Sequence, residues 1–139
     1  MSRLNAFLRR WGPAILLMVA IFAFSSTPSS DLPNFNWADR IVKKGGHALG
    51  YGLLAFAYLR GLKGENSHTT LRQFLGAWLM AVLYSATDEF HQSFTPGRHP
   101  AVTDVLIDAT GAAVVLILAA RYYKRKATGH ADRSLNTEN

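Results

Sequence analysis

The sequence predicts an all-α polytopic membrane protein: a four-helix transmembrane bundle with both termini cytoplasmic. Three observations carry that expectation. Apolar and polar residues are segregated into alternating runs, which a hydrophobic fraction of 49% and a mean hydropathy of +0.05 conceal. Lysine and arginine flank the apolar runs, and the acids gather at one level beside them. A soluble bundle would instead interleave apolar positions at helical spacing with charged faces. The 139 residues fit one domain, with no internal repeat. They divide into a transmembrane domain over 1–123, with spans near 8–26, 44–60, 71–92 and 102–122, and a basic tail over 124–139.

The first apolar run is Trp11 to Phe24, "WGPAILLMVAIFAF", preceded by Arg9 and Arg10. Its 14 residues fall short of the ~20 that cross hydrocarbon, unless Phe7, Leu8, Ser25 and Ser26 extend it. A charged flank, an apolar core and "AFS" also fit a cleaved signal peptide. Retention is the expectation, because the later segments need membrane partners. The second run is "GHALGYGLLAFAYL", Gly46 to Leu59, rich in small residues that let helix backbones approach in lipid. Gly46 and Gly50, four apart, suggest tight packing without naming a partner. The third run is "LRQFLGAWLMAVLYSAT", Leu71 to Thr87, and the fourth "VTDVLIDATGAAVVLILAA", Val102 to Ala120.

Orientation follows from the cations, because cytoplasmic loops carry an excess of Lys and Arg. One side holds Arg3, Arg9, Arg10, Arg60, Lys63, Arg72, Arg121, Lys124, Arg125, Lys126 and Arg133, eleven in all. The other holds four: Arg40, Lys43, Lys44 and Arg98. The eleven-cation side is expected to be cytoplasmic. Six of the nine acids (Asp31, Asp39, Asp88, Glu89, Asp104 and Asp108) then lie toward the outer leaflet, together with His47, His91 and His99. The expected location is the cytoplasmic (inner) membrane, multi-pass, with an extracytoplasmic functional face. The tail from Lys124 reads as a basic juxtamembrane anchor followed by disorder, attracted to anionic inner-leaflet lipid.

Composition excludes several functions. Without cysteine there is no disulfide and no thiolate metal site. The net charge of +6 flanks apolar segments and forms no basic stripe, so no nucleic-acid partner is expected. No P-loop, nucleophile elbow or zinc-protease signature is present.

The chemistry-bearing residues collect in "SATDEFHQSFTPGRHPAVTDVLIDATG", Ser85 to Gly111. If the third helix continues past Thr87, Asp88, His91 and Gln92 share one face, while Glu89 turns about 100° away. The bland reading is a solvated helix end. The fourth run is harder to dismiss, because Asp104 and Asp108 lie one turn apart on one face. Asp108 sits roughly 20 Å along the helix from Arg121, inside a ~30 Å hydrocarbon core. An ionised acid at that depth usually faces the bundle interior and carries function, or bonds a neighbouring helix, for example at Thr110 or Gln92. Pro96-Gly97 signals a turn and Pro100 bars helix before Ala101, so Arg98 is displayed on a loop. It can hold an anionic group bidentately, or pair Glu89 or Asp104. Upstream, Arg40, Lys44, His47 and Tyr51 form one stripe if the helix starts before Gly45.

Acid/base work on a lipid-linked phosphate or sugar needs a proton carrier and a cation to hold charge. Asp88, His91 and His47 are the catalytic candidates. Lys44, Tyr51, Glu89, Gln92, Arg98, Asp104 and Asp108 are the binding candidates. Asp88, Glu89, His91, Asp104 and Asp108 suit a divalent cation by ligand type, but their spacing matches no metal motif. The expectation is therefore no metal and no cofactor, with a divalent cation (Mg²⁺, Mn²⁺ or Zn²⁺) kept open as the alternative.

The order "HALGYGLLAFAYL", then "DEFHQSFTPGRHPAVTDVLIDATG", resembles the VanZ-like family of small bacterial membrane proteins. The likeness covers roughly Ser25 to Gly111. It falls on Lys44, His47, Tyr51, Asp88, Glu89, His91, Gln92, Arg98, Asp104, Asp108 and Gly111, with Ser25-Ser26 after the first span. Asp108 departs from the pattern, where asparagine is more usual. The resemblance implies a multi-span envelope protein related to one linked with teicoplanin resistance. The resulting expectation is an outward-facing polar pocket that recognises or processes an anionic envelope lipid or a lipid-linked cell-wall precursor, with an effect on glycopeptide susceptibility. Whether it is an enzyme stays open, as does oligomerisation. The alternatives are a non-enzymatic membrane adaptor or structural subunit, and an ion- or proton-coupled small transporter.

Overall fold

A computed structural model describes residues 3–28, 39–64 and 69–136. Among them the chain forms four α-helices and no strand: α1 (Arg3–Ser25), α2 (Asp39–Lys63), α3 (Leu71–Gln92) and α4 (Val102–Asn136). Asp31 lies outside the described residues, as do the side chains of Asp39 and Arg40.

Local chemistry sets most of the boundaries. Thr70 accepts a hydrogen bond from the Gln73 backbone N–H, and the Gln73 side chain accepts one from Thr70 N–H, a capping box that starts α3. After Gln92 the chain turns through Pro96-Gly97, where Gly97 takes φ 71°, a left-handed conformation that disfavours a Cβ. Pro100 then holds the chain extended until α4 starts at Val102. Pro13 sits inside α1 and donates no backbone bond, a defect that packed membrane helices tolerate. α2 begins at Asp39, so Gly45-Gly46 do not interrupt it and the stripe from Arg40 to Tyr51 lies on one continuous helix.

One expectation is corrected at the C-terminus. α4 does not end near residue 122 but runs to Asn136, so the segment 124–136 is helical and not a disordered tail. Composition suggested disorder because the segment is polar throughout. Yet Lys, Arg and Ala are good helix formers, and an established helix extends at low cost. Thr128 joins the turn by donating its hydroxyl to the Arg125 carbonyl at 2.9 Å.

By length and composition, α1 and the part of α4 from Val102 to Lys126 are apolar enough to cross a membrane. α2 and α3 fall short because charged and polar residues shorten the apolar stretch from both ends: Arg40, Lys43, Lys44 and His47 against Arg60 and Lys63 in α2, and Arg72 and Gln73 against Ser85, Asp88, Glu89 and Gln92 in α3.

α2 is the hub, packing against the other three helices, while α1 and α4 do not touch. Its contact with α4 is unusually close. A Cβ on Gly111 would collide with the Ala48 backbone, and one on Gly52 would sit 2.6 Å from Val115 Cγ2. Gly46 and Gly50 are not the tight positions, since Gly46 has open space and Gly50 only Ile21 at 3.9 Å. The core is accordingly built from small residues, Ala55, Ala77, Ala81, Ala112 and Ala119, around Tyr51, Leu54 and Leu59.

The burial pattern is inverted relative to a soluble bundle. Ser25, Ser85, Asp88, Glu89, Gln92 and Asp108 are buried. Leu71, Leu75, Leu79 and Leu83 of α3, one per turn, are each more than half exposed, as are Leu16, Val19, Phe24, Ile117 and Leu118 on the outer helices. In water such continuous apolar faces would be a liability.

Candidate functional site

The buried polar residues collect at one end of the bundle, where α1 ends, α2 and α4 begin, and α3 turns into the loop around Arg98. Two adjacent acids on α3 divide that end into two clusters. Because neighbours on a helix diverge by about 100°, Asp88 faces α1 while Glu89 faces α4.

In the first cluster Ser25 donates its hydroxyl to Asp88 Oδ2 at 2.6 Å, and Gln92 Nε2 donates to the same oxygen at 3.0 Å. All three residues are buried. Beside them Ser26 Oγ and His91 Nε2 lie 3.1 Å apart, and the His91 ring packs on Phe22 at 4.6 Å between centroids. One turn deeper, Tyr84 donates its hydroxyl to the Met18 carbonyl at 2.7 Å. Arg98 closes the cluster from above, donating to the carbonyls of Phe24 at 2.9 Å and Thr27 at 3.3 Å. The Phe24 carbonyl also accepts from the Thr27 N–H at 3.2 Å, so the guanidinium adds a second donor at the C-terminal end of α1. It does not pair Glu89 or Asp104, as one reading of the sequence supposed. The polar end of α1 thus packs onto α3.

The second cluster lies between α2, α3 and α4. Lys44 forms an ion pair with Asp104. His47 Nδ1 is 3.9 Å from Asp108 Oδ2, and Ser85 donates to that oxygen at 2.7 Å. Asp108 is thus bonded to Ser85, whereas Thr110 turns back to the Leu106 carbonyl and Gln92 serves Asp88. Glu89 Oε2 accepts from the Ala101 backbone N–H at 3.1 Å, which ties the end of α3 to the start of α4. Asp108 Oδ1, Asp88 Oδ1 and the Tyr51 hydroxyl are buried without a hydrogen-bond partner.

A cavity of about 280 Å³ opens onto this second cluster, walled by Lys44, His47, Glu89, Gln92, Asp104 and Asp108, with Lys43, Arg98 and His99 at its rim. Next to it an apolar groove of about 490 Å³ runs between α1 and α2 along Leu17, Ala20, Ile21, Phe24, Val42 and Gly50. The two meet at Lys43, His47 and Arg98, which line both.

The residues singled out in the sequence therefore occupy one end of the molecule but not one site. Of the three catalytic candidates, His47 lines the polar cavity, while Asp88 and His91 face α1. Of the binding candidates, Lys44, Glu89, Gln92, Arg98, Asp104 and Asp108 line that cavity, and Tyr51 lines the groove. The five residues grouped as cation ligands are split, because Asp88 and His91 lie away from Asp104 and Asp108. Sequence reasoning underrated Ser25, Ser26 and Ser85, which supply hydroxyls to Asp88, His91 and Asp108. Their signal was position, since each sits at the outer end of an apolar run, one turn or less from an acid's level. The apolar groove had no sequence signal at all.

The fold and site define an all-helical protein with apolar outer faces and a polar cluster buried at one end. A family model described as VanZ/LLP1 matches residues 10–123, and the chain belongs to that family. No curated protein and no solved structure matches it. The family and the two long apolar helices together support a membrane protein.

Proposed function

We propose that all four helices span the cytoplasmic membrane, with both termini inside and the polar end facing outward. α2 and α3 have 25 and 22 residues, enough to cross a ~30 Å core at 1.5 Å per residue. Their polar residues point inward while the α3 leucine stripe points out, which suits lipid on the outside. The absence of cysteine makes the topology easy to test. A single cysteine at Ser93 should react with an impermeant maleimide in intact cells, and one at Lys126 only after permeabilisation. The reverse labelling would refute the orientation.

At the outer leaflet the protein recognises an anionic membrane lipid or a lipid-linked cell-wall precursor. The observation that carries this reading is the junction of the two cavities. A polar chamber shares Lys43, His47 and Arg98 with an adjacent apolar groove, and an amphiphile with a phosphate head and a hydrocarbon tail has that same division. Lys43 and Arg98 would meet the phosphate, with the guanidinium giving directed, charge-assisted hydrogen bonds. His47 stands where head and tail meet and is the residue placed to move a proton if the lipid is processed. A change in glycopeptide susceptibility would follow from sequestering or altering a wall precursor. The test is co-purification: lipid extracted from wild-type protein should be enriched in phosphorylated species relative to the bulk membrane. The same enrichment in a normally inserted Arg98→Ala, Lys43→Ala double variant would sink the idea.

A further inference from the structure

The geometry points to a divalent-cation site formed by His47, Glu89 and Asp108, one ligand from each of α2, α3 and α4, that takes Zn²⁺ or Mn²⁺. A ring nitrogen of His47 and one oxygen from each carboxylate lie within 4.8 Å of one another. The His47–Asp108 separation of 3.9 Å is too long for a hydrogen bond. Two ligands on one cation with bonds of about 2.0–2.2 Å stand roughly 3–4 Å apart, so the triad closes on an ion with sub-ångström to ångström movements.

An independent observation marks the spot. Asp108 is 1% exposed, and its Oδ1 has no hydrogen-bond donor although the carboxylate forms part of the cavity wall. The donors that do reach the two acids, Ser85 Oγ, Ala101 N–H and Gln92 Nε2, are all neutral. Lys44, which lines the same cavity, is engaged by Asp104. Two buried carboxylates whose hydrogen bonds come from neutral donors are stabilised by added positive charge between them. A cation supplies it, and the neutral donors then become the outer contacts that fix each ligand's orientation, as in metal sites generally.

The ligand set selects the ion. One imidazole with two carboxylates suits Zn²⁺ or Mn²⁺ better than Mg²⁺, which prefers oxygen and retains its waters. Three protein ligands leave coordination positions open toward the cavity, the arrangement of a site that binds water or an anionic group. The site stands on this geometry and does not depend on lipid recognition.

The experiment uses the full chain in nanodiscs of zwitterionic phosphatidylcholine, stripped with chelator and titrated with ZnCl₂ or MnCl₂. Binding is followed by calorimetry, and by loss of the free Mn²⁺ spin-resonance signal. The expected result is one ion per chain, with affinity at least tenfold weaker in His47→Ala and in Asp108→Asn. His91→Ala, which removes a histidine facing α1, should leave the stoichiometry at one. Asp108→Asn is nearly isosteric, and a thermal-unfolding scan separates lost ligation from lost folding. No binding by the folded wild-type protein, or equal binding by folded His47→Ala and wild type, overturns the site. Because no anionic lipid is present, a negative result here leaves the lipid reading to its own test.

Discussion

Two clusters at the same end of the bundle use similar residues and do different things. The cluster between α1 and α3 is closed: Asp88 is held by Ser25 and Gln92, His91 by Ser26 and Phe22, and Arg98 caps the carbonyls above them. The cluster between α2, α3 and α4 opens onto a chamber, with Glu89 held by Ala101 and Gln92, Asp108 held at one oxygen by Ser85, and Lys44 drawn to Asp104. Each cluster keeps one buried carboxylate oxygen without a donor, Asp88 Oδ1 and Asp108 Oδ1, but only Asp108 adjoins a cavity in which a ligand can satisfy it. The difference teaches that a buried carboxylate is not by itself a site. What its second side faces decides.

Substitutions can break this contrast, beginning with the closed cluster. Asp88→Ala leaves the buried Ser25 hydroxyl without its acceptor and removes the shortest bond of the Gln92 amide, which costs about 1–3 kcal/mol. Thermal unfolding in detergent should show that loss. Unchanged melting would mean that the α1–α3 contact is not a lock. The opposite profile is expected of Arg98→Ala. Lipid affinity should fall about tenfold, the worth of one charge-assisted hydrogen bond, with a stability loss near 1 kcal/mol. A vesicle-binding series with graded phosphatidylglycerol content measures it.

Lys44→Met should act more weakly still. The Lys44–Asp104 pair is partly exposed, so its stability cost is expected within about 1 kcal/mol, and lipid affinity should change a few-fold. The smallest effect is expected of truncation after Lys126. That part of α4 makes no long-range hydrogen bond among the described residues, so insertion and melting should both be retained. Failure of the truncated chain to accumulate would assign the C-terminal helix a structural role.

Much of this arrangement was legible in the sequence, and for physical reasons. Four apolar runs gave four helices because segregation of apolar residues is a strong signal, and Pro96-Gly97 and Pro100 marked the α3–α4 loop because their backbone constraints are local. The level of the acids followed from residue counts along each helix. Which helix each acid would face did not follow, because the rotation of α3 depends on packing against α1 and α4. Hence Asp88 and Glu89 could be placed on different faces but not assigned to α1 and α4, and the contact of Arg98 with the end of α1 was not foreseen. The close α2–α4 contact at Gly111 and Ala48 was likewise hidden, although Gly46 and Gly50 drew attention to small residues on the same helix. The helical tail was missed because composition reports polarity, not the propensity of a helix already under way to continue.

The most direct test of the account is a structure of the protein in native lipid. The account predicts phosphate density in the polar chamber within hydrogen-bond reach of Lys43 or Arg98, continuous with an acyl chain in the groove beside Leu17 and Ile21. A chamber holding only water, with lipid confined to the outer leucine face of α3, would contradict it.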